Sequence, residues 1–371
     1  MSAKRNIFFL NDVQDVWLFN TLVRRNDLVV YNTIGKITSP HLHYDILEKY
    51  LVGNIGCQLV SMNKIKTLKN LENTINSECN FFITKECHPY TSLDVPLDIR
   101  QSVSPVRDKT ISIGWVGEST VSYADHRYRI RDKYLYHFVE PQLVPVYQSF
   151  GLTKNIVANN PKYYFLNETD RDELCRLLGL DPQKRYVTLL ITKLHDYSDN
   201  QLKILGHILQ HCDKVGLQVI FKTKMKYNDF GRELVKYDHF FSGDNIQFHQ
   251  TLALMCVSNL VIGFSSCASL EAETIGVPFV NFWKNELHDI DTHVDKQNLE
   301  WLYKNFHETA SKIKRNYGYR LAQKNTTFNI RTSKKYDYNR IKNELQSFLD
   351  KASNPAIIPK FPIHPVWSAI Y

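Results

Sequence analysis

The chain has 371 residues, 43% of them apolar and 23% charged, with a net charge of +8. That length holds two domains with separate cores, and the composition reads as soluble and globular. No apolar run approaches the ~20 residues that span a bilayer, so no membrane-spanning helix is expected.

The opening Met1–Asn6 is basic, and Ile7–Leu10 is apolar before Asn11-Asp12 ends the run. That run is too short for a signal-peptide core and is expected to be a β-strand. The expected location is therefore the cytoplasm. The seven cysteines are odd in number and widely spaced, and none forms a C-x-x-C. They fit small buried apolar residues rather than a disulfide framework or a zinc site. No metal ligand set is expected.

The predicted elements alternate between strand and helix. Asn6–Leu10 is a strand, and Asn11 or Asp12 caps a helix in which Val13, Val16, Trp17 and Val23 share a face. Strands follow at 27–31, 80–84, 110–116 and 134–139, with a helix over 40–51 and an extended segment at 155–158. In the second half Thr169 is expected to cap a helix that stops at Gly179. Arg185–Thr192 is a buried strand. Ser198 and Gln201 form a capping box for a helix to Cys212. Next come a strand at 218–222, a short one at 245–249, a helix at 251–257 and a strand at 259–263. A helix over 267–275 ends at Gly276, and Pro278–Phe282 is a strand. Helices are expected to about Lys324, then a last one over 338–349 and a proline-rich tail.

This alternation argues for an α/β fold of two facing Rossmann-like domains with a cleft between them. The domains are drawn at 1–160 (acceptor side) and 161–334 (nucleotide side). A crossing-back helix and tail fill 335–371. Between Thr309 and Tyr336 there are eight basic residues and no acid. That stretch reads as a solvated helix face and loop, or as a patch for a membrane or acidic surface through 312–335. No nucleic-acid recognition motif accompanies it.

The segment Leu260–Phe282 carries the chemistry. A continuous apolar strand runs into Ser265-Ser266 and then a helix. The unpaired N–H groups and dipole of a helix start favour phosphate, and two hydroxyls add donors. Glu271, about one turn further in, can accept hydrogen bonds from the hydroxyls of a ribose. Lys222 or Lys224, at the end of the 218–222 strand, can reach a phosphate as a point charge.

On these residues the chain resembles the GT-B superfamily of nucleotide-sugar enzymes. That group includes glycosyltransferases, non-hydrolysing UDP-N-acetylglucosamine 2-epimerases, and capsule or teichoic-acid polymer transferases. Ser258-Asn259, Ser265-Ser266, Glu271-Ala272 and Gly276-Val277-Pro278 follow the superfamily's order of strand start, phosphate turn, acid and G-x-P. Thr192 and His195 stand in the loop after the first strand of the nucleotide domain, where the epimerases carry a histidine. Asn160-Pro161 matches the domain junction. Ile113–Glu118 resembles the strand and turn that bear a catalytic histidine in the polymer transferases, but Val116 stands at that place.

The resemblance implies a metal-independent glycosyltransferase with no bound cofactor. Its substrates would be a nucleotide-diphosphate sugar and a glycan or lipid-linked acceptor. Asp289-Ile290-Asp291 has the letters of a metal-binding D-x-D but follows the nucleotide strand. Glu118 is then the nearest base for an acceptor hydroxyl, with His126, His137 and Glu140 as rivals. The other readings are a sugar-nucleotide epimerase using His195, a polyol-phosphate polymer transferase, and a GT-B-like binding protein without catalysis.

Overall fold

The computed structural model describes residues 6–10, 22–32, 48–62, 80–83, 110–113, 136–139, 155–157, 161–190, 194–197, 199–223, 231–242, 249–264, 268–283, 327–331, 347–349 and 358–361. Within them lie two parallel sheets.

The first sheet contains β1 (Asn6–Leu10), β2 (Leu28–Asn32), β3 (Gln58–Met62), β4 (Asn80–Ile83), β5 (Thr110–Ile113), β6 (Tyr136–Val139) and β7 (Asn155–Val157). Their order is β3-β2-β1-β4-β5-β6-β7. The second contains β8 (Arg185–Leu190), β9 (Leu217–Thr223), β10 (His239–Ser242), β11 (Leu260–Phe264), β12 (Phe279–Trp283) and β13 (Thr327–Arg331). It runs β10-β9-β8-β11-β12-β13. Each sheet starts in its interior, winds outward one way, and then returns to the starting strand to wind the other way. That is the doubly wound order, and it creates a switch point between β1 and β4 and another between β8 and β11.

The central strands of the second sheet are covered on both faces, which is why they read as nearly continuous apolar runs. Tyr186, Ile220, Val261 and Phe279 pack into one buried cluster with Leu174, Cys175 and Leu252. Their chain neighbours Val187, Val219, Ile262 and Val280 point the other way, against Ile204 and Ile208. The first cluster carries α1 (Arg171–Leu178), α3 (Gln250–Val257) and α4 (Ala268–Ile275), and the second carries α2 (Asp199–Lys214).

Several local expectations change. The cap of α1 is Asp170, whose side chain accepts from the Glu173 N–H at 2.8 Å, while Thr169 turns back to donate to the Phe165 carbonyl. Asp succeeds where Thr was expected because its backbone already has the extended conformation that a cap requires. Gly179 does end the helix, in the left-handed region at φ 68°. His249, placed by sequence in a short strand, instead caps α3 by accepting the Leu252 N–H on Nδ1. Helix expected over 40–51 is described from Glu48 to Ile55, wound with the wider π pitch. Three strands were not anticipated: β3, β10 and β13. The last of these falls inside the basic stretch that was read as helix and loop. Of the remaining C-terminal segment, Leu349 packs against the α2 side of the second sheet.

A recurring device sets the strand register. An Asp or Asn immediately precedes a strand and accepts the backbone N–H of the residue opposite it on the neighbouring strand. Asp27 takes the Asn6 N–H at 3.1 Å, Asp238 the Val219 N–H at 2.7 Å, and Asn259 the Tyr186 N–H at 3.2 Å. Burial raises the Asp27 carboxyl above its ordinary 3.8, against the hydrogen bonds from Arg24 and Asn6 that lower it. Next to Asn259, the Ser258 hydroxyl lies 2.6 Å from that of Thr188 and donates to the Leu254 carbonyl. Ser258-Asn259 is thus a stitch between α3, β8 and β11 at the edge opposite the strands' carboxyl ends. Asn259→Ala leaves the buried Tyr186 N–H unpaired at its side-chain contact. It is expected to lower stability by about 1–3 kcal/mol, seen as a lower urea midpoint with an unchanged slope.

Candidate functional site

Ligands of doubly wound sheets bind at the carboxyl ends of the strands beside the switch point. In the second sheet those ends are Leu190 of β8 and Phe264 of β11. Thr192 follows the first by two residues, and Ser265-Ser266 follow the second directly. Thr192, Ser265 and Ser266 lie outside the described residues, as do Lys224 and Glu118. His126 and Glu140 lie outside them too, and His137 falls on β6.

Glu271 sits in the first turn of α4, on the same face as Ala268, Ala272 and Ile275. That face points into the core, and Glu271 is only 8% exposed. Its Oε1 accepts from the Lys162 ammonium at 2.5 Å, an ion pair across 109 residues of sequence. Lys162 is 3% exposed and also stands 5.2 Å from the centre of the Tyr163 ring. It belongs to a 3-10 segment, Pro161–Asn167, that begins just after β7.

The tail pins that segment in place. Phe361 stacks on Tyr163 at 4.9 Å, and the Asn167 side chain exchanges two hydrogen bonds with the Phe361 backbone. Lys360 donates to the carbonyls of Leu166, Asn167 and Thr169, which close the segment. Sequence reasoning gave Glu271 a role but missed Lys162. The spacing of Ala268, Ala272 and Ile275 does signal that Glu271 faces inward. Nothing local signals its partner.

Lys222 and His195 sit differently from one another. Lys222 is buried within the end of β9, and its ammonium donates to the Thr223 carbonyl at 2.8 Å. Thr223 is 1% exposed, and its hydroxyl has no hydrogen-bond partner. His195 is exposed in the loop after β8. Its Nε2 lies 3.2 Å from Oε1 of Glu233, a pair that becomes ionic when the imidazole is protonated. Gly231, at φ +64°, lets the loop after β9 come this close: a Cβ there would lie 2.9 Å from that of Leu194. Glu233 is a second acid at this edge that the sequence did not single out.

The described cysteines, Cys57, Cys175, Cys212 and Cys256, are all buried and unbridged. Burial pushes the Cys57 thiol up to about 11 and that of Cys212 up to about 12, so neither offers a thiolate nucleophile at neutral pH. No group of His, Cys, Asp and Glu among the described residues has a metal-binding arrangement. No helix among them is long and apolar enough to cross a membrane.

Two doubly wound parallel sheets in one chain make an α/β fold of the kind to which the sequence motifs point. Neither a protein-family model nor a curated protein matches the chain. Solved structures do. The UDP-GlcNAc 2-epimerase of Methanocaldococcus jannaschii is similar with a TM-score of 0.55 and 10% identity, over 99% of this chain and 98% of that one. The UDP-GlcNAc 2-epimerase of Neisseria meningitidis, bound to UDP-GlcNAc, gives a TM-score of 0.47 and 12% identity over 94% of this chain and 100% of its own. The ADP-heptose lps heptosyltransferase II of E. coli gives 0.46 and 12% over 95% and 100%. At such identities the likeness is one of fold.

Proposed function

We propose that the chain is a glycosyltransferase that takes a nucleotide-diphosphate sugar on its second sheet and transfers the sugar to a glycan or lipid-linked hydroxyl. The observation behind this reading is the switch point between β8 and β11. The Ser265-Ser266 turn and the start of α4 follow the carboxyl end of one of its strands, and Thr192 follows the other.

The diphosphate would lie against the Ser265-Ser266 turn and the N-terminus of α4, where N–H groups and the helix dipole favour it. Lys224, one residue beyond β9, is the better-placed cation by sequence, since the Lys222 ammonium is directed at a main-chain carbonyl. Glu271 would receive the ribose hydroxyls. In the transfer step the acceptor oxygen attacks the sugar's anomeric carbon. The bond from that carbon to the diphosphate breaks, and the diphosphate leaves with the electron pair. The acceptor proton passes to a base, for which Glu118 is the candidate and His195 the alternative. Stabilisation of the departing diphosphate by fixed dipoles and a lysine supplies the electrophilic assistance without a bound Mg²⁺. The acceptor, the cytoplasmic location and a peripheral surface contact through 312–335 belong to the same proposal.

A thermal-shift panel of UDP, GDP, CDP and ADP with their sugars tests it. A nucleotide at a hundred times its Kd stabilises the fold by roughly 2.7 kcal/mol, which raises Tm by several degrees. No shift with any nucleotide rejects the proposal. Slow hydrolysis of the donor without an acceptor supports transfer, while interconversion of the sugar points to an epimerase instead.

A further inference from the structure

We propose that Lys162 is a positioning residue of the nucleotide site: it fixes Glu271 in the orientation that reads the ribose hydroxyls. This rests on the functional reading above and adds to it a residue outside the motif-bearing segment. The observation is the buried Lys162–Glu271 pair, at 2.5 Å and with side chains 3% and 10% exposed.

Burial of this kind is unusual for lysine, which is seldom fully buried unless paired. Stability is a poor reason to keep such a pair, because a well-packed apolar replacement is often as stable or more so. What the pair does supply is direction. A carboxylate has two oxygens and about four acceptor sites. Lys162 takes one site on Oε1 and holds the side chain in one rotamer. Glu271 comes five and six residues after the Ser265-Ser266 turn. Glu271 lies in the first turn of α4, and a ribose is joined to the diphosphate in any nucleoside diphosphate, so a diphosphate at the start of that helix brings its ribose hydroxyls toward Glu271. An acceptor already held in place loses no rotamer freedom when the hydroxyls arrive. Lys162 is itself held, because its 3-10 segment is stacked and hydrogen-bonded to Phe361 and Lys360.

The discriminating measurement is the preference for a ribonucleotide over its 2′-deoxy counterpart. Calorimetric Kd values are taken for UDP, GDP, CDP and ADP and for the four 2′-deoxy diphosphates. The proteins are the full wild-type chain, Lys162→Met and Lys162→Arg. The wild type should prefer the ribo form about tenfold or more, the scale of a hydrogen bond to a charged group. Lys162→Met should bring that ratio close to one and leave the deoxynucleotide Kd near its wild-type value. Lys162→Arg keeps the charge and should recover part of the ratio. If the methionine variant does not fold, Lys162→Gln, which is polar but neutral and one bond too short to keep the contact with Glu271 Oε1, provides the comparison. A ratio that survives in the Met or Gln variant overturns the inference, as do equal losses for both sugars and a wild type that binds nucleotides without ribose preference. Absence of nucleotide binding by the wild type is a different result and overturns the functional reading along with it.

Discussion

Lys162→Met is expected to cost about 3–5 kcal/mol of stability, the usual cost of removing one partner from a buried ion pair. The cause is less the lost attraction than what remains. Glu271, 8% exposed and on the core face of α4 between Ala268 and Ile275, keeps a carboxylate whose ammonium partner has gone. Against a total stability of roughly 5–15 kcal/mol that is a large fraction. The double replacement Lys162→Met with Glu271→Leu removes both charges and fills similar volume. It should recover most of the loss, since the desolvation penalty of both ions disappears together. Urea unfolding of the two single variants and the double variant gives the coupling directly. A single-variant loss below about 1 kcal/mol would place the pair in the range of solvent-exposed ion pairs and contradict the burial described here. The double variant also separates stability from binding, because a well-folded protein without Glu271 should have no ribose preference left.

The parts of the fold that sequence reveals are those where burial is complete on both faces. The segments 186–190 and Leu260–Phe264 lie in the middle of the second sheet, and their apolar runs are unbroken but for Thr188 and Gly263. The strands missed, β3, β10 and β13, are all edge strands. An edge strand needs less apolar surface, and QLVSM, HFFS and TFNIR mix polar residues into their few positions. In β10 no residue is fully buried. The site divides in a similar way. Ser265-Ser266 and Glu271 belong to one continuous strand–turn–helix segment, so local chemistry suggests them. Lys162 acquires its meaning only when the chain brings residues 162 and 271 together. Glu233 meets His195 only because Gly231 allows two loops to approach. Pairings at such separations leave no periodic trace in the sequence.

Gly263→Ala should be the second damaging substitution, at about 1–3 kcal/mol, through overpacking rather than lost contacts. Gly263 lies on β11 opposite Asn281 of β12, on the same sheet face as Val261 and Phe279. A Cβ at 263 would stand 2.4 Å from Cζ of Phe279 and 3.2 Å from both of its ε carbons. The Phe279 ring is fully buried beside α4 and cannot swing into solvent. Either the ring leaves its rotamer or the strands part, and both cost energy in a close-packed layer. The modest gain from replacing a strand glycine, about 0.5–1 kcal/mol, is too small to offset this. Phe279→Leu in the same chain makes room at the ring's far end. The double variant should therefore be less destabilised than the sum of the two singles, a non-additivity that urea midpoints resolve. Position 263 is also two residues before Ser265, so a displaced strand end would disturb the proposed diphosphate site. Nucleotide affinity in Gly263→Ala should fall for ribo and deoxyribo forms alike, unlike the selective loss expected at Lys162. If Gly263→Ala keeps wild-type stability, the Phe279 ring does not lie over that glycine, and the end of β11 is not close-packed against β12.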